Sequence, residues 1–249
     1  MPPPRILTIA GSDSSGGAGI QADIKTITVL GGYAMSVITV ITAQNTLGVT
    51  MVEVLSPALI AAQIDACTSD IGLDAVKIGM LGSPEIAAVV ADRLEALGVP
   101  VVFDPVMVAT SGAALADSAT IAAFERLMQL ATLTTPNVPE LEALGGHLAM
   151  QARHITYLAK GGDAQGERVD DVLMVPGDEP QVMSGSRIHT RHTHGTGCTL
   201  SSAIATYLGK GLPLPEAVDR ARLFVRSALR AAPGFGAGNG PLGHGEARG

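Results

Sequence analysis

The chain has 249 residues, which is enough for a large hydrophobic core and is most simply organised as one domain over residues 1–249. Hydrophobic residues make up 47% of the sequence and charged residues only 16%, and tryptophan is absent, so the core must be aliphatic. The formal net charge of -7 and the lack of any lysine or arginine cluster argue against nucleic acid or an anionic membrane surface as a partner.

The cysteine content and the N-terminus bear on the compartment. Cys67 and Cys198 are too few for a disulfide framework and have no metal-ligand spacing. Met1 is followed by three prolines and not by a basic and apolar signal segment, and no stretch is long enough to span a membrane. We therefore expect a cytoplasmic protein with no membrane partner.

The N-terminal half predicts short strands alternating with helices. Apolar or β-branched runs predict strands at 5–10, 34–43, 51–55, 75–80 and 99–104. The spacing of isoleucines from residue 20 onward predicts a helix there. Ser56-Pro57 and Ser83-Pro84 are typical helix starts, with serine as the cap and proline in the first turn. Cys67 lies on the first of these two helices and is expected to fill the core.

The C-terminal half continues the alternation. A helix is expected at 117–131, and Asn137 is placed to cap another that begins at Pro139. Strands are expected at 154–159, 169–175 and 179–188, and helices at 199–209 and 216–231. The glycine-rich tail 233–249 has no packing pattern and is expected to be a loop. The whole pattern predicts an α/β fold with one doubly wound, mainly parallel central sheet and helices on both faces.

The turn Gly195-Thr196-Gly197-Cys198 opens an apolar-rich helix and is the strongest functional signal. The first amides of a helix have no intrahelical acceptor, and glycine lets an anion approach them closely. In that position Cys198 is expected to have a lowered pKa and more thiolate. The alternative is a plain glycine turn before a packing helix, with Cys198 as a small buried hydrophobe. A second glycine-rich loop, at 11–19, matches neither the dinucleotide-binding nor the P-loop pattern.

Eight segments in order resemble the hydroxymethylpyrimidine/phosphomethylpyrimidine kinases of thiamine biosynthesis, which belong to the ribokinase-like superfamily. They are 10–23, 42–48, 77–81, 104–107 with Ser111-Gly112, 135–140, 160–162 (followed by Asp163), 194–199 and Gly240-Pro241. One departure is the segment between Leu144 and His154, which is too short for the longer helix that usually separates Asn-x-x-Glu from Lys-Gly-Gly in this family.

The resemblance implies roles for the residues of the turn and for the charged residues before it. Cys198 would be the base, where superfamily relatives commonly carry Asp, and Gly195, Thr196 and Gly197 would cradle the transferring phosphoryl group. Nucleotide binding would involve Lys160, Asn137 and Thr196, and Mg²⁺ would be held by Glu140, through water, and by Asp104. Without the resemblance, a helix-start charge would be the preferred interpretation of Glu140 and a turn residue that of Lys160.

The substrate side of the site is expected at the end of the second strand. The amide of Gln44 offers both a donor and an acceptor, which matches the ring nitrogen and amine of an aminopyrimidine. By resemblance, Ala18, Gly19, Asp23 and Met80 would line the same pocket, although Met80 fits ordinary core packing equally well. His192 and His194 lack a third metal ligand and are expected to be turn residues, with His194 near the phosphates.

The implied activity is ATP-dependent phosphorylation of 4-amino-5-hydroxymethyl-2-methylpyrimidine and then of its monophosphate. ATP and Mg²⁺ would be the cofactors, the pyrimidine alcohol the small-molecule partner, and a second copy of the chain a homodimer partner. The alternatives are a pyridoxal or pyridoxine kinase, and a catalytically idle pyrimidine-binding protein. Release of ADP with each candidate alcohol separates the three.

Overall fold

A computed structural model describes residues 2–108, 112, 115–162 and 165–247 of the chain. In these ranges nine strands form one sheet in the order β3-β2-β1-β4-β5-β6-β7-β8-β9. The strands are β1 (Arg5–Asp13), β2 (Tyr33–Gln44), β3 (Val49–Val54), β4 (Ala75–Ile78), β5 (Val101–Phe103), β6 (Leu133–Thr134), β7 (Tyr157–Ala159), β8 (Arg168–Met174) and β9 (Gln181–Ser186). The six strands from β2 to β7 in this order are parallel, whereas β3 and β8 run antiparallel to them and β9 pairs antiparallel with β8.

Helices cover both faces of the sheet. They are α1 (Gly19–Val29), α2 (Pro57–Asp70), α3 (Pro84–Leu94), α4 (Ser118–Leu130), α5 (Val138–Ala143), α6 (Gly146–Ala152), α7 (Thr196–Gly209) and α8 (Leu214–Arg230). Buried side chains of α2 to α6 pack on one face of the sheet, and those of α1, α7 and α8 pack on the other. Successive residues of β4 alternate between the two cores, as a pleated strand requires: Ala75 belongs to the second and Val76 to the first. The predicted doubly wound α/β fold is confirmed.

Local capping explains why several helices begin where they do. Ser56 accepts a hydrogen bond from the Leu59 amide and Ser83 accepts one from the Ile86 amide, each with proline in the first turn. Both starts are as predicted. No helix in the described ranges is long and apolar enough to cross a bilayer.

Two segments depart from the sequence-based expectations. The stretch between Leu144 and His154, which is short for the family, still forms the seven-residue helix α6. The tail up to residue 247 is mostly loop, as expected, but it packs against the fold although its sequence has no packing pattern: Leu242 and Ala247 are buried, and a 3₁₀ turn covers His244–Glu246. The Gly243 amide donates to the Ala228 carbonyl and so fastens the tail to α8.

Two residues of the quoted motifs, Ser111 and Asp163, lie outside the described ranges.

Candidate active site

The predicted site residues lie at the carboxyl ends of neighbouring parallel strands. Gln44 ends β2, Met80 follows β4, Asp104 follows β5 and Lys160 follows β7. Asp13, which the sequence-based prediction left out, ends β1. Open α/β sheets bind their ligands at this edge, because the loops that leave the strands converge there.

The glycine turn takes the conformation that its sequence predicts. Gly195 has φ of 88°, and a Cβ on it would lie 1.9 Å from the Gly17 carbonyl oxygen, so only glycine fits. Helix α7 begins at Thr196, and the amides of Gly197 and Cys198 in its first turn have no intrahelical acceptor. The turn therefore presents bare N–H groups and the positive end of a helix dipole.

The turn faces a carboxylate and a lysine from other strands. A Cβ on Gly197 would lie 3.3 Å from Asp104 Oδ2 and 3.4 Å from Lys160 Nζ. Lys160 Nζ donates to Asp104 Oδ1 at 2.8 Å and lies 3.8 Å from Glu140 Oε2. Thr135 Oγ1 also donates to Asp104, at 2.9 Å. The structure thus brings together four residues that the sequence assigned separately to phosphate, nucleotide and metal.

Glu140 has a structural role as well as a place in this cluster. Its Oε2 accepts from the Asn137 amide at 2.8 Å, and its own amide donates to Asn137 Oδ1 at 2.9 Å, which completes a capping box at the start of α5. Burial raises the pKa of Glu140 to about 7, with the charge of Asp104 adding to this effect and that of Lys160 opposing it. The helix-start interpretation is confirmed, and the same carboxyl group remains next to Lys160.

The predicted lowering of the Cys198 pKa is wrong. Cys198 is half-buried, and burial raises its pKa to about 11, although the charge of Lys77 and a hydrogen bond from the Gly19 amide favour the thiolate. The loss of hydration therefore outweighs the helix end. The hydrogen bond from Gly19 nevertheless places the thiol next to the glycine-rich loop 11–19 (the substrate loop), whose Ala18 and Gly19 are predicted to line the substrate pocket.

Asp13 joins the substrate loop to the glycine turn. Its Oδ2 accepts from the amides of Gly17 and Ala18 and from His194 Nε2, at 3.0, 2.8 and 2.8 Å. Burial acts against the charge, but these donors and those of Ser15 outweigh it and lower the pKa of Asp13 to about 2. His194 is more than a turn residue, because its hydrogen bond to Asp13 connects the glycine turn to the loop. The sequence does contain a signal for this role of Asp13, namely an aspartate in a Ser/Gly-rich segment, since aspartate side chains commonly accept hydrogen bonds from nearby backbone amides.

Gln44 ends β2, at the edge of the sheet where the other predicted site residues lie. Its backbone is fixed by Ser14, whose hydroxyl donates to the Gln44 carbonyl at 2.8 Å and accepts from its amide at 2.9 Å. The Gln44 side chain is half-buried, and its side-chain amide group makes no hydrogen bond to any residue that the structure describes. Met80 is nearby along this edge, with its sulfur 3.3 Å from where a Cβ on Gly11 would lie. Met80 is only partly buried, so it is not simply a core residue.

Asp23 does not line the open site, so its predicted contact with substrate is wrong for this structure. It is fully buried, and its carboxylate accepts from Thr8 Oγ1 at 2.5 Å, from Lys77 Nζ at 2.8 Å and from Ser202 Oγ at 2.6 Å. No surface is left for a ligand. Asp23 instead lies beneath the site.

The sequence profile of the phosphomethylpyrimidine kinase family matches residues 13–243. The chain belongs to this family. Over an alignment of 255 positions, it is 48% identical to the hydroxymethylpyrimidine/phosphomethylpyrimidine kinase of Rhizobium meliloti strain 1021, covering 96% of both chains. It is 47% identical to the thiamine biosynthesis bifunctional protein ThiED of Geobacter sulfurreducens, and it spans about half (52%) of that longer protein.

Solved structures give the same fold for the phosphomethylpyrimidine kinase family and for pyridoxal kinases. An ADP complex of Bacillus subtilis pyridoxal kinase superposes with a TM-score of 0.88 at 33% identity, covering 98% of both chains. The phosphomethylpyrimidine kinase of Clostridium difficile 630 superposes with a TM-score of 0.76 at 40% identity, covering 90% of this chain and 98% of that one. Likeness of fold therefore does not separate the two kinase activities, and the site has to do so.

The carboxylates of this kinase site fit a metal that is shared with a nucleotide. Among the described residues, no three or more His, Cys, Asp or Glu side chains form a metal cage. Mg²⁺ is usually bound by one or two carboxylates together with waters and substrate phosphates. Asp104 and Glu140 supply that number of hard oxygen ligands beside Lys160. The donor set therefore fits Mg²⁺ together with phosphate and not a metal held by the protein alone.

Proposed function

We propose that the chain transfers the γ-phosphoryl group of ATP to 4-amino-5-hydroxymethyl-2-methylpyrimidine, and then phosphorylates the resulting monophosphate, in thiamine biosynthesis. One observation carries most weight: the amides at the start of α7 face Lys160 and Asp104 on one side and the Gly19 amide on the other. An anion site and an acceptor site thus meet at Cys198. Membership of a kinase family agrees with this chemistry.

Charge stabilisation is the main task in phosphoryl transfer, because little covalent chemistry falls to the protein. The amides of Gly197 and Cys198 would bind the transferring group as its charge develops, with Thr196 beside them. Lys160, which Asp104 holds at 2.8 Å, would neutralise nucleotide phosphate charge, with Asn137 nearby at the start of α5. Asp104 and Glu140 would hold Mg²⁺, whose charge offsets that of the phosphates.

Cys198 would accept the proton of the hydroxyl. In this step the substrate O–H bond breaks, the proton passes to Cys198 Sγ, the freed oxygen bonds to the γ-phosphorus, and the bond from phosphorus to ADP breaks. The thiolate is the form that can accept the proton, and burial keeps it scarce at neutral pH. We therefore expect kcat/KM to rise with pH through the neutral range.

Substrate recognition would rest on Gln44. Its side-chain amide has no partner in the described structure and stands at the end of β2. The neighbouring strand β1 ends at Asp13, which binds the Ala18 amide. Filling both its donor and its acceptor with an aminopyrimidine edge would favour that ring over analogues that lack the pattern. Pyridoxal is the second candidate substrate, because the Bacillus subtilis pyridoxal kinase has nearly the same fold.

A second copy of the chain is the proposed protein partner, in the cytoplasm. The edge formed by β2 and β3 exposes several apolar side chains, and such patches are typical of protein interfaces. They are Ile41, Leu47, Met51, Val52 and Val54.

The test is coupled release of ADP with each alcohol, at matched concentrations of enzyme, ATP and Mg²⁺. We expect kcat/KM to be higher for hydroxymethylpyrimidine than for pyridoxal, and the monophosphate to support a second round. A preference for pyridoxal would favour the vitamin B6 activity, and no alcohol-dependent ADP release would favour a binding protein.

A further inference from the structure

Lys77 is a fully buried lysine that the roles assigned above leave without a function. It lies in the middle of β4 with 0% of its side chain exposed, and its Nζ is 2.8 Å from Asp23 Oδ2, which is also 0% exposed. Lysine is almost never fully buried unless it is paired. A buried ion pair often adds little or no stability over an apolar pair of similar size, because both charges lose their hydration. Stability alone therefore does not account for this pair.

The pair lies directly beneath the glycine turn. Asp23 Oδ1 accepts from Ser202 Oγ at 2.6 Å, and Ser202 is four residues after Cys198 on α7. Residues four apart lie on the same face of a helix, so Cys198 is on the face of α7 that meets the pair. On the other side, a Cβ on Gly79 would come within 2.8 Å of Lys77 Nζ. The ammonium group thus lies between α7 and the end of β4.

Four charged groups from four different parts of the fold interact electrostatically with the thiolate form of Cys198. Lys77 comes from β4, Asp23 from α1, Asp104 from the end of β5 and Lys160 from the end of β7. After burial, the charge of Lys77 is the largest of these influences and the one that favours the thiolate most. Among the charges around the thiol, Lys77 is therefore the main one that favours the thiolate, and Asp23 and Asp104 oppose it.

We propose that Lys77 is a positioning residue for the phosphoryl transfer: its ammonium group, held in place by Asp23, which Ser202 in turn binds, stabilises the thiolate of Cys198. This inference rests on the proposed function, in which the thiolate accepts the hydroxyl proton. No further reactant is needed, because the proton moves only from the substrate oxygen to Sγ and Lys77 stays protonated. The pairing with Asp23 maintains that state, since it raises the pKa of Lys77 to about 12 against the effect of burial.

The test measures the reactivity of Cys198 against pH and does not depend on turnover. In a Cys67→Ala background, alkylation by iodoacetamide is followed at Cys198 in the parent and in two variants. The double variant Lys77→Met/Asp23→Asn removes both charges of this ion pair, so neither partner is left buried and charged. The single variant Lys77→Gln keeps a hydrogen-bond donor to Asp23. For Lys77→Gln, which leaves the Asp23 charge in place, we expect a midpoint raised by about one pH unit or more and alkylation at neutral pH slowed at least about tenfold. For the double variant we expect a smaller change in the same direction, because Asp23 disfavours the thiolate and its loss offsets part of the loss of Lys77.

Asp171→Asn with Arg222→Met is the matched control, because it neutralises another buried ion pair, between β8 and α8. We expect it to leave the alkylation midpoint at the parent value. If the Lys77 variants also keep that midpoint while remaining folded by circular dichroism, the inference is overturned. A raised midpoint in the Lys77 variants, together with a fully active Cys198→Ala enzyme, would support the link between Lys77 and Cys198 and refute the proton-accepting role proposed above.

Discussion

Replacing Asp13 by Asn tests whether one carboxylate holds the substrate loop against the glycine turn. Asp13 Oδ1 accepts from the amide and the hydroxyl of Ser15, both at 2.8 Å. Asp13 Oδ2 accepts from the amides of Gly17 and Ala18 and from His194 Nε2, at 3.0, 2.8 and 2.8 Å. Nε2 must be the donor in the last of these, because an ionised carboxylate only accepts.

The arrangement of these donors sets the size of the effect. If the asparagine NH₂ replaces Oδ2, it faces three N–H groups that then have no acceptor. If the amide is turned the other way, the NH₂ faces the Ser15 amide and hydroxyl, and the hydroxyl can rotate to accept. The second orientation costs less: about one lost hydrogen bond, one unsatisfied amide and the loss of charge assistance, or about 2–3 kcal/mol. For a chain of this size the expected fall in Tm is roughly 4–12 °C.

The assays are thermal unfolding and steady-state kinetics, with Asp65→Asn as control. Asp65 pairs with Arg93 on the surface, where removing a charge changes stability by less than about 1 kcal/mol. We expect Asp13→Asn to lower kcat/KM at least about tenfold, because the loop and the turn lose their alignment. If Asp13→Asn matches Asp65→Asn in both Tm and kcat/KM, Asp13 does not link the two segments.

The same carboxylate predicts a pH dependence. Its folded pKa of about 2 lies below the ordinary value of 3.8, so its contribution to stability is complete above the ordinary value and is lost as the pH falls towards 2. The difference in Tm between the wild type and Asp13→Asn should therefore be constant from neutral pH to about pH 5 and shrink below about pH 4. A difference that changed between pH 8 and pH 5 would assign the effect to another group.

Three further variants test individual roles. Cys198→Ala should lower kcat by about 10²–10⁴ and leave ATP binding intact, because the cradle is backbone; more than half the activity remaining would exclude Cys198 as the proton acceptor. Glu140→Gln should raise the Mg²⁺ requirement without changing pyrimidine binding, and an unaltered Mg²⁺ titration would leave Glu140 only its capping role. Gln44→Leu should lower kcat/KM for hydroxymethylpyrimidine by a factor equivalent to about 2–4 kcal/mol, and kcat/KM for pyridoxal by less. Equal losses for the two alcohols would show that Gln44 does not recognise the pyrimidine ring.

Features that depend on neighbouring residues could be predicted from the sequence. Ser56 and Ser83 each cap an amide three residues further on, so the sequence alone contains both the donor and the acceptor. The rule that ligands bind at the carboxyl ends of parallel strands selected Gln44, which ends β2 in the structure.

Features that depend on distant residues could not be predicted. Asp13 and His194 are 181 positions apart, and Lys77 and Asp23 are 54 apart, so no local pattern signals either pair. The error at Cys198 has the same origin, because the helix start is visible in the sequence whereas the burial that outweighs it comes from packing. The packing of the tail could not be predicted because its few apolar residues have no periodicity, and only the fold supplies the surface that covers them.

The central claim is that the site formed at Cys198 phosphorylates hydroxymethylpyrimidine twice. ³¹P NMR of the chain with ATP, Mg²⁺ and this alcohol tests it directly, because each phosphorylated product has its own resonance. We predict the signal of the pyrimidine monophosphate first and that of the diphosphate as the first signal declines, both absent with Cys198→Ala over the same time. ADP and inorganic phosphate without either pyrimidine product, or equal product formation by Cys198→Ala, would contradict the claim.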